Sequence, residues 1–159
     1  GLEILPWTAT LVLVSPFSGR AVDRFGERPI AVLGLVMQIC GYFWIALAIL
    51  HSSPYWFFLF PLLCSGAGIS LAGPALQKAV LGAVDASHIG VASGIFNTFR
   101  QLGGAVGTAV AVMAFYLFGD MTSRLSFSEG TSAALAGSTV LTLLGVVIAL
   151  VMGDSRRRD

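Results

Sequence analysis

The chain has 159 residues, of which 56 % are hydrophobic and 11 % charged, and its formal net charge is +1. Soluble domains carry about 25 % charged residues, so this composition argues against an ordinary soluble fold. The small net charge gives no polybasic signal for nucleic acid. A mean hydropathy of +0.87 favours an all-α integral membrane protein with the lipid bilayer as its solvent.

Five apolar stretches are long enough to cross a bilayer, which takes about 20 residues per helix. The predicted spans are 2–18, 29–50, 55–81, 90–118 and 133–152. Short polar links join them at 19–29, 51–54, 82–90 and 119–132, and a basic tail follows at 153–159. The first span is already under way near Gly1 and no signal peptide is visible. We therefore expect this bundle to be the truncated C-terminal part of a longer protein.

Positively charged side chains predict the orientation, because cytoplasmic links are enriched in lysine and arginine. One side of the predicted membrane has Arg20, Arg24, Arg28, Lys78, Arg156, Arg157 and Arg158, whereas the other has Arg124. Aromatic residues of the interfacial belt fall near the opposite ends of their spans, at Trp7, Tyr42, Trp44, Tyr55, Trp56 and Tyr116. We expect a multi-pass protein of the plasma (inner) membrane, with the 19–29 link and the tail in the cytoplasm.

The fourth span has a narrow face of small and polar residues. At 100° per residue, this face contains Ser93, Asn97, Arg100, Gly104, Gly107 and Ala111. The opposite, apolar face suits lipid. A central arginine costs roughly 2.5–3.5 kcal/mol on insertion scales, so Arg100 should face protein or a water-filled cavity. It either clamps the bundle or contacts substrate or a proton-carrying carboxylate, although snorkelling toward the inner interface is also possible.

Two further spans show small residues and glutamines at helical spacing. These are Gly34, Gln38 and Gly41 in the second span and Gly66, Ser70, Gly73 and Gln77 in the third. Such faces favour close helix packing, and the two glutamines also suit a polar cavity. Pro74 removes one backbone hydrogen bond from the third span. The pair Gly73 and Pro74 is therefore a passive kink or a flexing point.

Residues for metal or catalytic chemistry are sparse. Cys40 and Cys64 lie in apolar runs and are interpreted as small hydrophobic residues. His51 and His88 have no ligand partners at metal spacing, and no cluster of acids and histidines lies at membrane depth. We expect no metal, no cofactor and no enzymatic activity.

The 19–29 link is dense in alternating charge. Gly19 would let the first helix pack tightly, and Gly26 would allow a tight turn with positive φ. Asp23 can cap the next helix or pair with Arg24 or Arg28. The link is either a latch that holds two helices together or a solvated, positively charged loop.

The spacing of Gly19, Asp23, Arg24, Gly26 and Arg28 resembles the G-x-x-x-D-R-x-G-x-R loop of the major facilitator superfamily. The segments "LPW", "SPFSGRAVDRFGERP" and "GVASGIFNTFRQLGGAVGTAV" are similar to its fourteen-span drug:proton antiporter branch. The run that carries this similarity comprises Asn97, Arg100, Gln101, Gly103, Gly104 and Gly107. Glu27 departs from the basic or neutral residue that members often have there.

The resemblance implies a fold, a mechanism and partners. The five spans would form most of the C-terminal six-helix bundle, and the 19–29 link would be a cytoplasmic gate latch. The protein would export drugs or other amphipathic small molecules by alternating access, with protons as the coupling ion. Its partners would be the missing N-terminal half, which would hold the proton-carrying acids, and the small-molecule substrate. The alternatives are a transporter of a metabolite, siderophore or lipid, and a structural or channel protein, which the charged link disfavours.

Overall fold

The computed structural model describes residues 5–51 and 54–151. These residues form five long helices: α1 (Leu5–Phe25), α2 (Glu27–Leu50), α3 (Trp56–Leu81), α4 (Ile89–Phe118) and α5 (Arg124–Val151). A single 3₁₀ turn, Ala86–His88, precedes α4, and the described ranges contain no strand. The predicted all-α fold is confirmed. The tail at 153–159 lies outside the described residues, as does Gly1.

Helices α2, α3, α4 and α5 are each long and apolar enough to span a membrane. The described part of α1 is not among these spanning helices, because serines, threonines, prolines and Arg20 interrupt its apolar residues. A helix needs about 20 mostly apolar residues to cross the hydrocarbon core, and these four exceed that length. The structure therefore supports an integral membrane protein.

The 19–29 segment differs from the predicted polar link, because it is helical on both sides of Gly26. Helix α1 runs through Arg20 and Arg24, and arginine is a good helix former. Gly26 ends it with φ of +95°, a left-handed conformation that glycine adopts without steric cost. The expected positive φ at Gly26 is confirmed, whereas most of the predicted polar link is part of α1 and α2. Helix α5 likewise begins at Arg124, within the predicted 119–132 link.

Helices α2 and α3 pack at backbone contact. A Cβ atom added to Gly34 would lie 2.6 Å from the carbonyl oxygen of Gly68, and one added to Gly41 would lie 2.8 Å from that of Pro61. Real Cβ atoms do not approach so closely, so only glycine permits this helix separation. Small residues drive helix association in lipid because they let backbones touch. The predicted close packing of Gly34 and Gly41 is confirmed.

Helix α1 packs against the other side of α3. A Cβ atom on Gly66 would lie 3.0 Å from the carbonyl oxygen of Trp7, and the Ser70 hydroxyl donates to the carbonyl oxygen of Leu11 at 3.4 Å. Thr10, on the same face of α1, is buried. The predicted packing of Gly66 and Ser70 is thus confirmed, with α1 as the partner.

Helix α5 joins α2 to α4. The Ser132 hydroxyl donates to the carbonyl oxygen of Ala46 at 3.3 Å, which ties α5 to α2. The rings of Phe115 and Phe127 meet edge to face with centroids 5.5 Å apart, which ties α4 to α5. Helix α4 therefore lies at the edge of the bundle, where its neighbours are α5 and, over fewer residues, α3.

Candidate functional site

Most of the surface of α4 is uncovered. Ala92 is its one buried residue, and the side chains of Asn97, Arg100 and Gln101 are exposed. Within the described ranges the Arg100 guanidinium makes no hydrogen bond or ion pair. The structure thus places these three polar groups together on one helix, at a surface that the described part of the chain leaves open.

The glycines of the predicted α4 face share this open environment. A Cβ atom added to Gly103, Gly104 or Gly107 would meet no atom within 4 Å. Contact with α5 lies further along α4, where Val110 and Ala114 are near Gly137. Close packing at the three α4 glycines therefore stays a prediction, because the described residues supply no neighbour for them.

The polar positions of α2 and α3 are divided between packed and open surfaces. Gln38 is half-buried, and its side-chain amide donates to the Tyr42 hydroxyl at 2.8 Å within α2. Gln77 is exposed near the end of α3. Gly73 has no atom within 4 Å of an added Cβ, and Pro74 lies inside a helix that continues to Leu81. A flexing role for the Gly73 and Pro74 pair stays a prediction.

One lysine ties three helix ends together at the Gly26 turn. The Lys78 ammonium, in the last turn of α3, lies 2.5 Å from Asp23 Oδ1 at the end of α1 and 4.0 Å from Glu27 Oε1 at the start of α2. Sequence reasoning paired Asp23 with Arg24 or Arg28 and missed this contact, because Lys78 is 55 positions from Asp23. The available signal was that Lys78 falls on the same side of the predicted membrane.

The other charged groups of the 19–29 segment have separate contacts. The Arg24 guanidinium lies 5.5 Å from the centroid of the Phe25 ring, which is cation–π geometry. Arg28 donates from Nη2 to the carbonyl oxygen of Leu150, in the last turn of α5. A cation at a helix C-terminus is favourable because the carbonyl end of the helix dipole is negative. An added Cβ at Gly19 would meet nothing within 4 Å, so the expected tight packing there is absent from the described residues.

The described residues contain no group of three or more histidine, cysteine or acidic side chains that could hold a metal ion. Cys40 and Cys64 are free thiols, and the Cys64 thiol donates to the carbonyl oxygen of Met37 at 3.4 Å. This hydrogen bond joins α3 to α2.

The chain is similar to known membrane transport proteins. A model described as "Major Facilitator Superfamily" matches residues 4–159. The chain is 33 % identical to the multidrug resistance protein Stp of Mycobacterium tuberculosis, in an alignment that covers 79 % of the chain. It is 26 % identical to the transporter YebQ of Escherichia coli, in an alignment that covers 93 % of the chain. Over 70 % it is 29 % identical to the lincomycin resistance protein LmrB of Listeria monocytogenes. The matches cover 23 %, 30 % and 24 % of these relatives, so the chain spans about a quarter of their length. No solved structure matches the chain.

Proposed function

The chain belongs to the Major Facilitator Superfamily, and on that premise we propose that it forms the C-terminal membrane bundle of a secondary transporter. Its cargo is a drug or another amphipathic small molecule, which it exports in exchange for protons. The names of the relatives Stp and LmrB support the cargo, since both are called resistance proteins. The matches cover only 23 % and 24 % of these two relatives, which supports a further bundle outside this chain.

The observation that carries this proposal is the open polar face of α4. Arg100 lies within a helix that is long and apolar enough to cross a membrane. An arginine at membrane depth is expensive in lipid, and such residues face a bundle interior or a water-filled cavity. Because the described helices do not cover Arg100, we assign its surroundings to the preceding bundle and to the pathway between the two. Asn97 and Gln101 share that region and supply further hydrogen-bond donors and acceptors.

The Gly26 turn supports alternating access by rocking of the two bundles. Lys78 links α3 to the junction of α1 and α2, so these three helix ends move as one unit while the contact holds. Side chains of Lys78 and Asp23 are 46 % and 71 % exposed, and ion pairs this exposed contribute at most about 1 kcal/mol. We propose that this weak, reversible contact is the latch of a cytoplasmic gate, with Gly19, Asp23, Arg24, Gly26 and Arg28 in the gate segment.

Efflux of a fluorescent cationic dye from energised cells tests the function. The full-length protein is compared as wild type, Arg100→Ala and Arg100→Lys, with equal amounts in the membrane. We expect both variants to lose at least tenfold in efflux rate, since lysine lacks the planar, five-donor guanidinium. A protonophore should abolish wild-type efflux if protons drive it.

Arg124→Ala is the matched control, because it removes the same charge from the start of α5, outside the central part of any span. It should export at the wild-type rate. Normal efflux by both Arg100 variants contradicts a role for Arg100 in the pathway. If wild type moves no dye, the drug-export proposal fails and a metabolite, siderophore or lipid becomes the candidate cargo. Residues 1–159 alone, reconstituted in liposomes, should give no proton-driven flux.

A further inference from the structure

A groove runs along the surface of α2 that faces away from the bundle, near the contact of α2 with α5. Its volume is about 470 Å³, within the range of roughly 300–1,000 Å³ typical of ligand sites. The lining residues are Arg28, Pro29, Val32, Leu33, Val36 and Leu150. Five of these six side chains are apolar, and the single charged one stands at one end.

The order of the lining residues along α2 separates charge from hydrocarbon. Arg28 lies in the first turn of a spanning helix, which puts it near a membrane–water interface whichever way the helix points. Val32 and Val36 follow on the same face, one and two turns deeper. At 1.5 Å per residue the row from Arg28 to Val36 extends about 12 Å along the helix. The groove is therefore charged at the level of lipid headgroups and apolar at the level of acyl chains.

The charge at the mouth favours an anion. Arg28 donates to the carbonyl oxygen of Leu150, which fixes the guanidinium between the ends of α2 and α5. That bond uses one of five N–H donors on an arginine side chain, and a guanidinium matches the oxygens of a phosphate. Glu27, the adjacent acid, approaches Lys78 on the α3 side of the helix.

We propose that this groove binds one anionic phospholipid, with the phosphate on Arg28 and an acyl chain against Val32, Leu33 and Val36. The positive charge of Arg28 complements an anionic headgroup, and the apolar row on α2 complements an acyl chain. Leu33 and Val36 are 49 % and 41 % exposed, so the described helices do not close this surface. The bound lipid bridges α2 and α5 beside the gate segment, which makes the junction of these helices sensitive to membrane composition.

Native mass spectrometry of the full-length protein tests the site. Delipidated protein receives equal amounts of dioleoyl phosphatidylglycerol and dioleoyl phosphatidylcholine, and bound lipids are counted. We expect preferential retention of phosphatidylglycerol and an approximately fivefold loss of it in Arg28→Ala, the effect of one basic residue near anionic lipid. Arg28→Lys should keep most of the preference. Val32→Phe, which fills the groove and leaves the charge in place, should lose bound lipid of both kinds.

Arg124→Ala provides the matched control, since it removes an exposed arginine from the other end of α5 and should retain phosphatidylglycerol like wild type. Equal retention in Arg28→Ala and Arg124→Ala overturns the proposal, as does unchanged retention in Val32→Phe. Displacement of the lipid by millimolar glycerol phosphate alone overturns it too, because the acyl chain would then contribute nothing. If wild type retains no phosphatidylglycerol at all, another part of the protein covers the groove and the proposal is wrong.

Discussion

Helices α2 and α4 are both rich in small residues, yet the structure puts them in opposite environments. At the α2–α3 contact, an added Cβ on Gly34 or Gly68 would lie 2.6 Å or 2.5 Å from a carbonyl oxygen of the facing helix. Along α4, added Cβ atoms on Gly103 and Gly104 would meet nothing within 4 Å. The same residue type therefore marks a completed interface in one helix and an open one in the other.

The difference matters energetically because lipid tails are as apolar as the side chains, so burying an apolar side chain between helices gains no hydrophobic free energy. Helices associate in a membrane through packing and interhelical hydrogen bonds rather than through hydrophobic burial. The α2–α3 contact has both backbone approach and nearby hydrogen bonds such as Cys64 to Met37. Helix α4 packs against α5 and, over fewer residues, against α3. We infer that its glycine face is completed by the remainder of the transporter.

The largest expected effect comes from breaking the completed interface. Gly34→Ala puts a methyl group against the backbone of α3, and this contact is relieved only if the helices separate. We expect a loss of about 1–3 kcal/mol in the free energy of unfolding, the usual range for overpacking. Reversible unfolding of the full-length protein in mixed detergent micelles, followed by circular dichroism, measures it.

Gly137→Ala is the matched control for that change. Its added Cβ would lie 3.8 Å from Ala114 and Val110, which is ordinary van der Waals contact. Since alanine also forms helices better than glycine, this variant should be neutral or slightly more stable. Equal stability of the two variants would mean that α2 and α3 do not approach as closely as the structure places them.

Composition and helix length predict the fold well, and local glycine spacing predicts part of the packing. Gly34 and Gly41 lie at a close helix contact as expected, and Gly26 has its positive φ. Long-range partners were not predictable, because spacing along one helix does not say which helix lies opposite. Gly68 is the residue that meets Gly34, whereas an added Cβ on the predicted Gly73 would meet no described atom within 4 Å.

The candidate site likewise contains one feature that the sequence predicts and one that it does not. Arg100 is recognisable in the sequence as a cation in an apolar span, since that feature needs no knowledge of neighbours. The contact of Lys78 with Asp23 is not recognisable in this way, because the two residues are brought together only by the packing of α1 against α3. What covers Arg100 stays a prediction, since the described residues give it no partner.

The second prediction tests the open interface. Gly104→Leu adds a large side chain to the uncovered α4 face, and we expect at least a tenfold loss of dye efflux if the preceding bundle packs there. Val106→Leu adds a methylene group two positions away on the predicted lipid-facing side, where Val106 is 58 % exposed, and should export normally. With membrane amounts matched by immunoblot, wild-type efflux by Gly104→Leu would show that this face meets lipid.

The smallest effect concerns the link that joins α4 to α5, where the Asp120 carboxylate accepts local hydrogen bonds. The Thr122 hydroxyl and then its amide N–H donate to Asp120, at 2.5 Å and 2.8 Å, and these bonds lower the pKa of that carboxyl. A folded-state pKa below the unfolded one means that the stabilisation is complete above the unfolded pKa. It is lost as the pH falls through the folded pKa.

We therefore expect protection of the Thr122 amide from hydrogen exchange to decline in acid, below the ordinary carboxyl pKa of 3.8. NMR exchange rates across a pH series, divided by those of an unstructured reference peptide, give this protection. Asp120→Asn removes the titration and should give protection that does not change with pH. The carboxyl is fully exposed, so solvent screens it and the effect should stay within the link. Parallel pH profiles for wild type and Asp120→Asn would mean that the link is ordered by the α4–α5 contact at Phe115 and Phe127 instead.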